Sequence, residues 1–400
     1  MGEAPSKRFT RDGGSEVESW LAKNCREVVE GVGRIVPEER LEGVVLGGGY
    51  GRGEGGVLRE AGREAPYNDM EFYVFVRGSA LLAERAFREP LRHLGHSLSP
   101  RAGLEVEFKV LSIDKLRRSR PSMFYYDLVA GHQVVSGGEG LFEGCRHHLA
   151  PEKIPTHEAT RLLMNRCSGL LFSALKLQAR PFEEEESDFV GRNLAKARLA
   201  FGDVLLTALG LYHWSCIERH SRLRGLSGRP EFALDPSRAE LVELIRCHGE
   251  GVEFKLHPTR EKGSADKFAK EHRLISEIGR RLWLWLEGYR LGCAFTNTAD
   301  YVAWTGDKCP ETNRMRNLLI NLRAFGLNGG GLLESTRYPR ERLLNALCIL
   351  LWSSPTVQEG GRKLSIEEIG FLRRELKATA ATNDFAGLVG AYEAIWSRFN

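Results

Sequence analysis

The eight cysteines (Cys25, Cys145, Cys167, Cys216, Cys247, Cys293, Cys309 and Cys348) contain no C-x-x-C pair. That absence argues against a disulfide scaffold or a paired-thiolate metal site, and the scatter reads as reduced thiols of a cytoplasmic protein. Long apolar runs are also lacking. The longest, such as Leu343–Trp352, is too short to span a bilayer, so no membrane partner is expected. Residues Met1–Ser15 are polar and hold no apolar h-region, so no signal peptide is expected. Charge of one sign is scarce: the net charge is +4 over 400 residues, with Arg and Lys dispersed. A long nucleic acid is therefore not the expected partner. No internal repeat of fixed period is present. What remains is an ordinary globular balance, 42% hydrophobic and 28% charged, at a length that suggests two or three domains.

Glycine is what the chain has in excess: 44 residues, about 11% against a usual value of roughly 7%. Seven of them fall between Gly47 and Gly56. Around this cluster the first 150 residues alternate helix and strand patterns. Ser15-Glu16-Val17-Glu18 fits a capping box opening a helix to about Val32. Strands are expected at Val44–Leu46, Phe72–Val76, Leu104–Leu111 and Gln133–Ser136, with a helix over Ser79–Leu94. From about Pro155 the periodicity is helical: Thr160–Leu177, Gly191–Arg219, Arg238–Cys247, Asp266–Leu291, Asn313–Phe325, Arg340–Trp352, Ser365–Ala378 and Phe385–Phe399. Connectors are expected at Glu183–Glu186, Arg224–Pro230 and Asn328–Gly331. The expected class is α+β, with a small mixed-sheet domain in residues 1–150 and a mostly helical domain, of one or two subdomains, in 151–400.

The chemistry-bearing pattern starts at the glycines. In Gly47-Gly48-Gly49-Tyr50-Gly51-Arg52-Gly53-Glu54, bare backbone lets N–H groups converge on an anion. Asn68-Asp69-Met70-Glu71 then opens the next strand. Residues i and i+2 of a strand share a face, so Asp69 and Glu71 project together as oxygen donors for hard divalent cations. Glu105 and Glu107 offer a third acid on a neighbouring strand. A phosphate loop followed by acids on two strands is a two-metal phosphoryl-transfer arrangement.

These motifs resemble the nucleotidyltransferase superfamily that includes DNA polymerase β and the antibiotic nucleotidyltransferases. Gly48-Gly49 matches its glycine element, Tyr50-Gly51-Arg52-Gly53-Glu54 its small-x-Arg-Gly-Glu tail, and Asp69-Met70-Glu71 its acid pair. The resemblance covers roughly Val28–Gly138. Three departures stand out. Gly49 replaces a frequent Ser, Asn68 stands where a Ser often precedes the acids, and the spacing to Asp69 is long, so Gly55–Tyr67 is expected as an inserted loop. The resemblance implies transfer of a nucleoside monophosphate from an NTP, with ATP the expected one, to a hydroxyl acceptor, with pyrophosphate released. Gly48, Gly49, Arg52 and Gly53 would bind the nucleotide. Asp69, Glu71 and Glu107 would hold two Mg²⁺ ions, with Glu105 in reserve, and Glu107 would take the acceptor's proton. Arg52 is read either on the phosphates or in a salt bridge to Glu54, and Lys109 either on a phosphate or as an exposed charge. Tyr126–Val129 and Gln133–Gly138 are read as the structural close of the domain.

The acceptor is open between a small hydroxylated molecule and a protein side chain. Arg166, Asn193, Lys196 and Asp203, at helical spacing, are the candidates to shape its site. Two other readings compete. One is a non-catalytic nucleotide- or partner-binding protein on the same fold. The other is a dinucleotide-binding Rossmann protein, since Gly51-x-Gly53-x-x-Gly56 and Glu71 satisfy that spacing. The placement of the acids at the start of their strand, and the Gly62 and Pro66 that leave little room for a crossover helix, argue against the Rossmann reading. His93, His96, His147 and His148 are expected at the surface, and Trp283, Trp285 and Tyr289 in the core.

Overall fold

The computed structural model describes residues 8–138, 140–226, 238–260, 262–326, 336–358 and 363–399. It is a mixed α/β structure, largely helical, with one small four-stranded mixed sheet. The chain divides into two compact units. The first comprises Met1–Pro155 together with Leu209–Gly225 and Val252–Thr259, and the second takes Thr156–Ala208, Leu226–Gly251 and Arg260–Asn400. Two segments from the helical part of the sequence therefore belong to the first unit.

In chain order the first unit contains α1 (Ser15–Ile35), β1 (Leu41–Leu46), the single turn α2 (Gly48–Gly51), β2 (Val57–Glu60), β3 (Arg63–Pro66), β4 (Met70–Val76), α3 (Ala80–Ala102), β5 (Val106–Ser112), α4 (Ile113–Arg118), α5 (Met123–Ala130) and β6 (Gln133–Gly137). The sheet order is β5-β4-β1-β6. β4 and β5 are parallel, while β1 runs antiparallel to both β4 and β6. Strand alternation sorts the residues of β4 between two cores. Phe72, Val74 and Val76 pack with Val17, Leu21 and Val28 of α1 and with Phe87 and Leu91 of α3. Tyr73 and Phe75 turn to the other face, with Val45, Ile113, Leu116, Leu128 and Val129. Fully burying such side chains stabilises by roughly 1.5–3 kcal/mol each, which fixes the register and therefore the face on which Asp69 and Glu71 appear.

In the first unit local structure departs from expectation at Ser15, at Gly55–Tyr67 and at His148. Ser15 makes no capping box; Gly14 is the cap residue, without a side-chain bond. Glu18 instead accepts from the backbone amides of Phe9 and Thr10, at 2.9 and 3.0 Å, and binds the incoming segment. The inserted segment Gly55–Tyr67 is not an irregular loop but carries the β2–β3 hairpin, in which Val57 pairs with Pro66 and Glu60 with Arg63. Its two turn residues, Ala61 and Gly62, both have positive φ, 50° and 75°, the geometry that matches strand twist in two-residue hairpins. His148 is fully buried, its Nε2 3.0 Å from the Leu116 carbonyl, not at the surface.

The second unit is helical: α6 (His157–Lys176), α7 (Glu184–Ala208), most of α9 (Arg238–Leu256), α10 (Ala265–Leu291), α11 (Thr298–Ala303), α12 (Arg314–Phe325), α13 (Arg340–Trp352), α14 (Ile366–Leu376) and α15 (Phe385–Phe399). The expected helix Gly191–Arg219 is two: α7 stops at Ala208, and α8 (Cys216–Leu226) begins after a non-helical stretch in the first unit. The acids Glu184–Glu186 form the first turn of α7 rather than a connector, where they complement the helix dipole. Ser365 and Glu368 do form a capping box. A buried ionic knot holds this unit: Glu287, with no exposure, accepts from Thr160 Oγ1 at 2.7 Å and Tyr301 Oη at 2.9 Å, and pairs with Arg290 at 2.7 Å. Trp283 is core, whereas Tyr289 is exposed and stacks on Trp285. The connectors expected at Arg224–Pro230 and Asn328–Gly331 fall, from residue 227 and in full respectively, outside the described residues.

Candidate functional site

β1 delivers the chain into the glycine loop beside the first residues of β4. The amide of Gly47 donates to the Glu71 carbonyl at 2.9 Å. Gly48 has φ +60°, and a Cβ there would lie 2.9 Å from Glu71 Oε1. Both facts require glycine: the left-handed backbone disfavours any Cβ, and the carboxylate occupies the space it would need. The rest of the loop satisfies itself. The amides of Gly51, Arg52, Gly53 and Glu54 bond back to Gly47, Gly48, Tyr50 and Gly49, and Gly55 bonds to Phe9. None of the hydrogen bonds described for the loop uses the amides of Gly48, Gly49 or Tyr50. Gly53 makes a turn, with φ +74° and its amide given to the Tyr50 carbonyl.

Tyr50 was not singled out from the sequence, yet it organises the site. Its side chain is fully buried, with the ring against Gly55. Its hydroxyl accepts from the amides of Tyr67, at 2.9 Å, and Asn68, at 3.2 Å, and donates to the Gly56 carbonyl. Asn68 Oδ1 accepts from the Gly56 amide at 2.8 Å. The residues immediately before Asp69 are thus tied to the glycine cluster across the hairpin.

The acids share one sheet face. Asp69 lies two residues before Glu71, and Glu71 is in parallel register with Glu107, which puts both side chains on the same side. The Glu105 carbonyl accepts from Met70 N at 2.8 Å, so Glu105 flanks the same strand opening. Burial raises the Glu107 carboxyl above its ordinary range, and the charges of Glu105, Asp69 and Glu71 add to that against the opposing Lys109. Glu71 is held by Tyr73, whose hydroxyl donates to Oε2 at 2.8 Å, and by Lys109 Nζ at 3.9 Å. Lys109 is therefore paired, and lies 5.7 Å over the Tyr73 ring. Among the described residues no three His, Cys, Asp or Glu side chains are already gathered as a metal group. The donor chemistry nevertheless fits a hard divalent cation: the donors are all carboxylate, and their mutual repulsion is what such a cation relieves.

Of the two readings of Arg52, the salt bridge to Glu54 does not form. Arg52 Nη1 reaches Asp127 Oδ2 at 3.3 Å, and Tyr212 Oη donates to the same oxygen at 3.1 Å. Burial raises the Asp127 carboxyl despite Arg52 and Arg219 nearby. Asp127, read from the sequence as structural, is thus the carboxylate that pairs with Arg52. Glu54 is buried and turns to Ser215 Oγ and the Cys216 amide. Burial opposes its ionisation, but those hydrogen bonds, helped by the Lys255 charge, hold Glu54 below the usual carboxylate range. Lys255 feels Arg52, Arg219 and Glu54, and burial lowers its pKa. Three cations and two carboxylates therefore meet beneath the loop. Arg219 and Lys255 lie far from the motifs in sequence, and no local pattern marks them.

In the second unit the four acceptor candidates do not form one surface. Asp203 is buried and Arg166 half-buried; the Asp203 charge acts on Arg166, and Asp203 Oδ1 lies 3.0 Å from His248 Nε2. Asn193 donates to its own helix at Phe189 O, and Lys196 is exposed. No helix among the described residues is long and apolar enough to cross a membrane. No protein-family model, curated protein or solved structure matches the chain.

Proposed function

We propose that the first unit is a nucleotidyltransferase domain and that the protein is a metal-dependent enzyme moving a nucleoside monophosphate from an NTP to a hydroxyl acceptor. The observation that carries the reading is the closeness of Gly48 to Glu71: a glycine turn whose amides at Gly48, Gly49 and Tyr50 take part in none of the described hydrogen bonds sits directly beside an acid face built from two parallel strands. The amides of Gly48 and Gly49 hold phosphate oxygens, and the buried cations beneath the loop add positive potential. Asp69, Glu71 and Glu107, with Glu105 adjacent, would hold Mg²⁺. A bound Mg²⁺ supplies charge neutralisation and alignment at the α-phosphate. Tyr73 and Lys109 keep Glu71 aimed at the loop. The acceptor oxygen forms a bond to the α-phosphorus, the bond to pyrophosphate breaks, and Glu107 takes the hydroxyl proton.

The test is incubation with labelled NTPs, Mg²⁺ and a cell extract, comparing wild type with Asp69→Ala/Glu71→Ala. Label transfer that depends on the acids supports the reading, and equal transfer by both proteins removes it. One observation favours a second reading, a nucleotide-binding protein without turnover: Glu71 already has Tyr73 and Lys109 as partners. Triphosphate binding with no transfer would select it.

A further inference from the structure

The acid face has an aromatic border that the nucleotide-transfer reading leaves without a role. Phe124, in the first turn of α5, is 40% exposed, and among the described residues of the first unit it is the one exposed large aromatic. It is not a stray surface residue. Its ring lies 5.6 Å from that of Tyr73, the residue whose hydroxyl binds Glu71, and 5.3 Å from Tyr125 behind it. Ser122 caps the helix by accepting from the Tyr125 amide, and Tyr125 packs against buried His148 at 5.1 Å. The ring is therefore backed on two sides and open on the third. Beside it, the Lys109 and Glu71 side chains are themselves partly exposed, 52% and 33%. An apolar ring left open beside these charged side chains offers a flat apolar surface on which a planar ligand group can stack.

We infer that Phe124 is the platform on which the base of the nucleotide stacks, with the ribose spanning the Tyr73 edge toward the acids. This inference rests on the nucleotide-transfer reading. Every base offers a π-face, so a platform of this kind tolerates all four, with purines favoured over pyrimidines by their larger ring area. The substrate class is thus an NTP selected weakly by base.

The test measures binding by calorimetry, with Mg²⁺, of ATP, UTP and inorganic tripolyphosphate to wild type, Phe124→Ala and Phe124→Trp. Stacking predicts that F124A binds ATP about 5- to 100-fold more weakly, loses less for UTP, and keeps wild-type affinity for tripolyphosphate. F124W should bind ATP as wild type does, with indole emission quenched by ATP and not by tripolyphosphate. Equal ATP affinity in wild type and F124A overturns the platform alone. Equal losses for ATP and tripolyphosphate also overturn it, by showing a purely structural role. Failure of wild type to bind either ligand removes the nucleotide reading, and the platform with it.

Discussion

Replacing Tyr50 by Phe removes one oxygen and nothing else, and the structure says what that oxygen does. The ring stays against Gly55, so no cavity opens. The hydroxyl's bonds to the amides of Tyr67 and Asn68 and to the Gly56 carbonyl are lost. Tyr67 keeps a bond to the Gly56 carbonyl at 3.2 Å, so the loss there is partial. The Asn68 amide loses its described partner in a half-buried place. A buried group left unpaired costs about 1–3 kcal/mol, and one nearly full loss plus one partial loss comes to about 2 kcal/mol. In a unit of this size that lowers the melting temperature by roughly 4–8 °C. Differential scanning calorimetry of wild type and Tyr50→Phe measures it on the transition of the first unit. The same variant should transfer label more slowly, because the bonds lost are those fixing the residue before Asp69. Tyr73→Phe serves as the control: it removes one bond, to a carboxylate that water already reaches, and should shift the melting temperature much less. A Tyr50→Phe shift below 1 °C would refute the reasoning.

Gly48→Ala should weaken triphosphate binding at least tenfold in calorimetry, because the new Cβ meets Glu71 and the left-handed backbone opposes it by about 1–2 kcal/mol. Glu287→Ala should destabilise the second unit by about 3–5 kcal/mol, leaving Arg290 buried without its carboxylate; chemical denaturation reads this directly. His257, paired with Asp12 and Glu253, has its pKa raised above 6.5: burial opposes the charge, but the two carboxylates prevail. A raised value stabilises the fold fully below the unfolded pKa and loses that contribution as pH rises through the folded one. The melting-temperature difference between wild type and His257→Asn should accordingly be largest near pH 6 and fade in mildly alkaline buffer. For Glu54 the sign reverses. Its lowered pKa contributes stability above about pH 4.5 that disappears on acidification, so Glu54→Gln should show a flatter acid limb in a pH series of denaturant titrations.

The elements legible in the sequence are those set by local pattern. The aromatic and β-branched run of β4, the helical stripes of α13 and α15, and the order of glycines and acids are all set by neighbours within a few residues. The hairpin at Val57–Pro66 was missed because Ala61-Gly62 is a weaker turn signal than Asn-Gly or Asp-Gly. The capping box at Ser15 failed for a different reason: Glu18 had a competing use in binding Phe9 and Thr10. Arg52 shows the general limit. Its nearest acid in sequence is Glu54, but its partner in space is Asp127, 75 residues away. Which carboxylate an arginine takes is decided by how strands and helices pack, and one sequence does not record that. The same holds for Arg219 and Lys255, which arrive from segments whose own patterns are merely helical.

Glu54 draws a further consequence from the discontinuity of the first unit. The partners that hold it are Ser215 and Cys216, and the charge that flanks it is Lys255. During synthesis the glycine loop therefore leaves the ribosome long before the residues that lock its far end. Until residue 259 has emerged, the loop's own carboxylate and the Arg52–Asp127 pair lack the cations and donors that complete them. The far end of the glycine loop is thus left unheld until more than half of the chain has been made. A fragment ending at residue 155, although it contains every motif, is an incomplete domain.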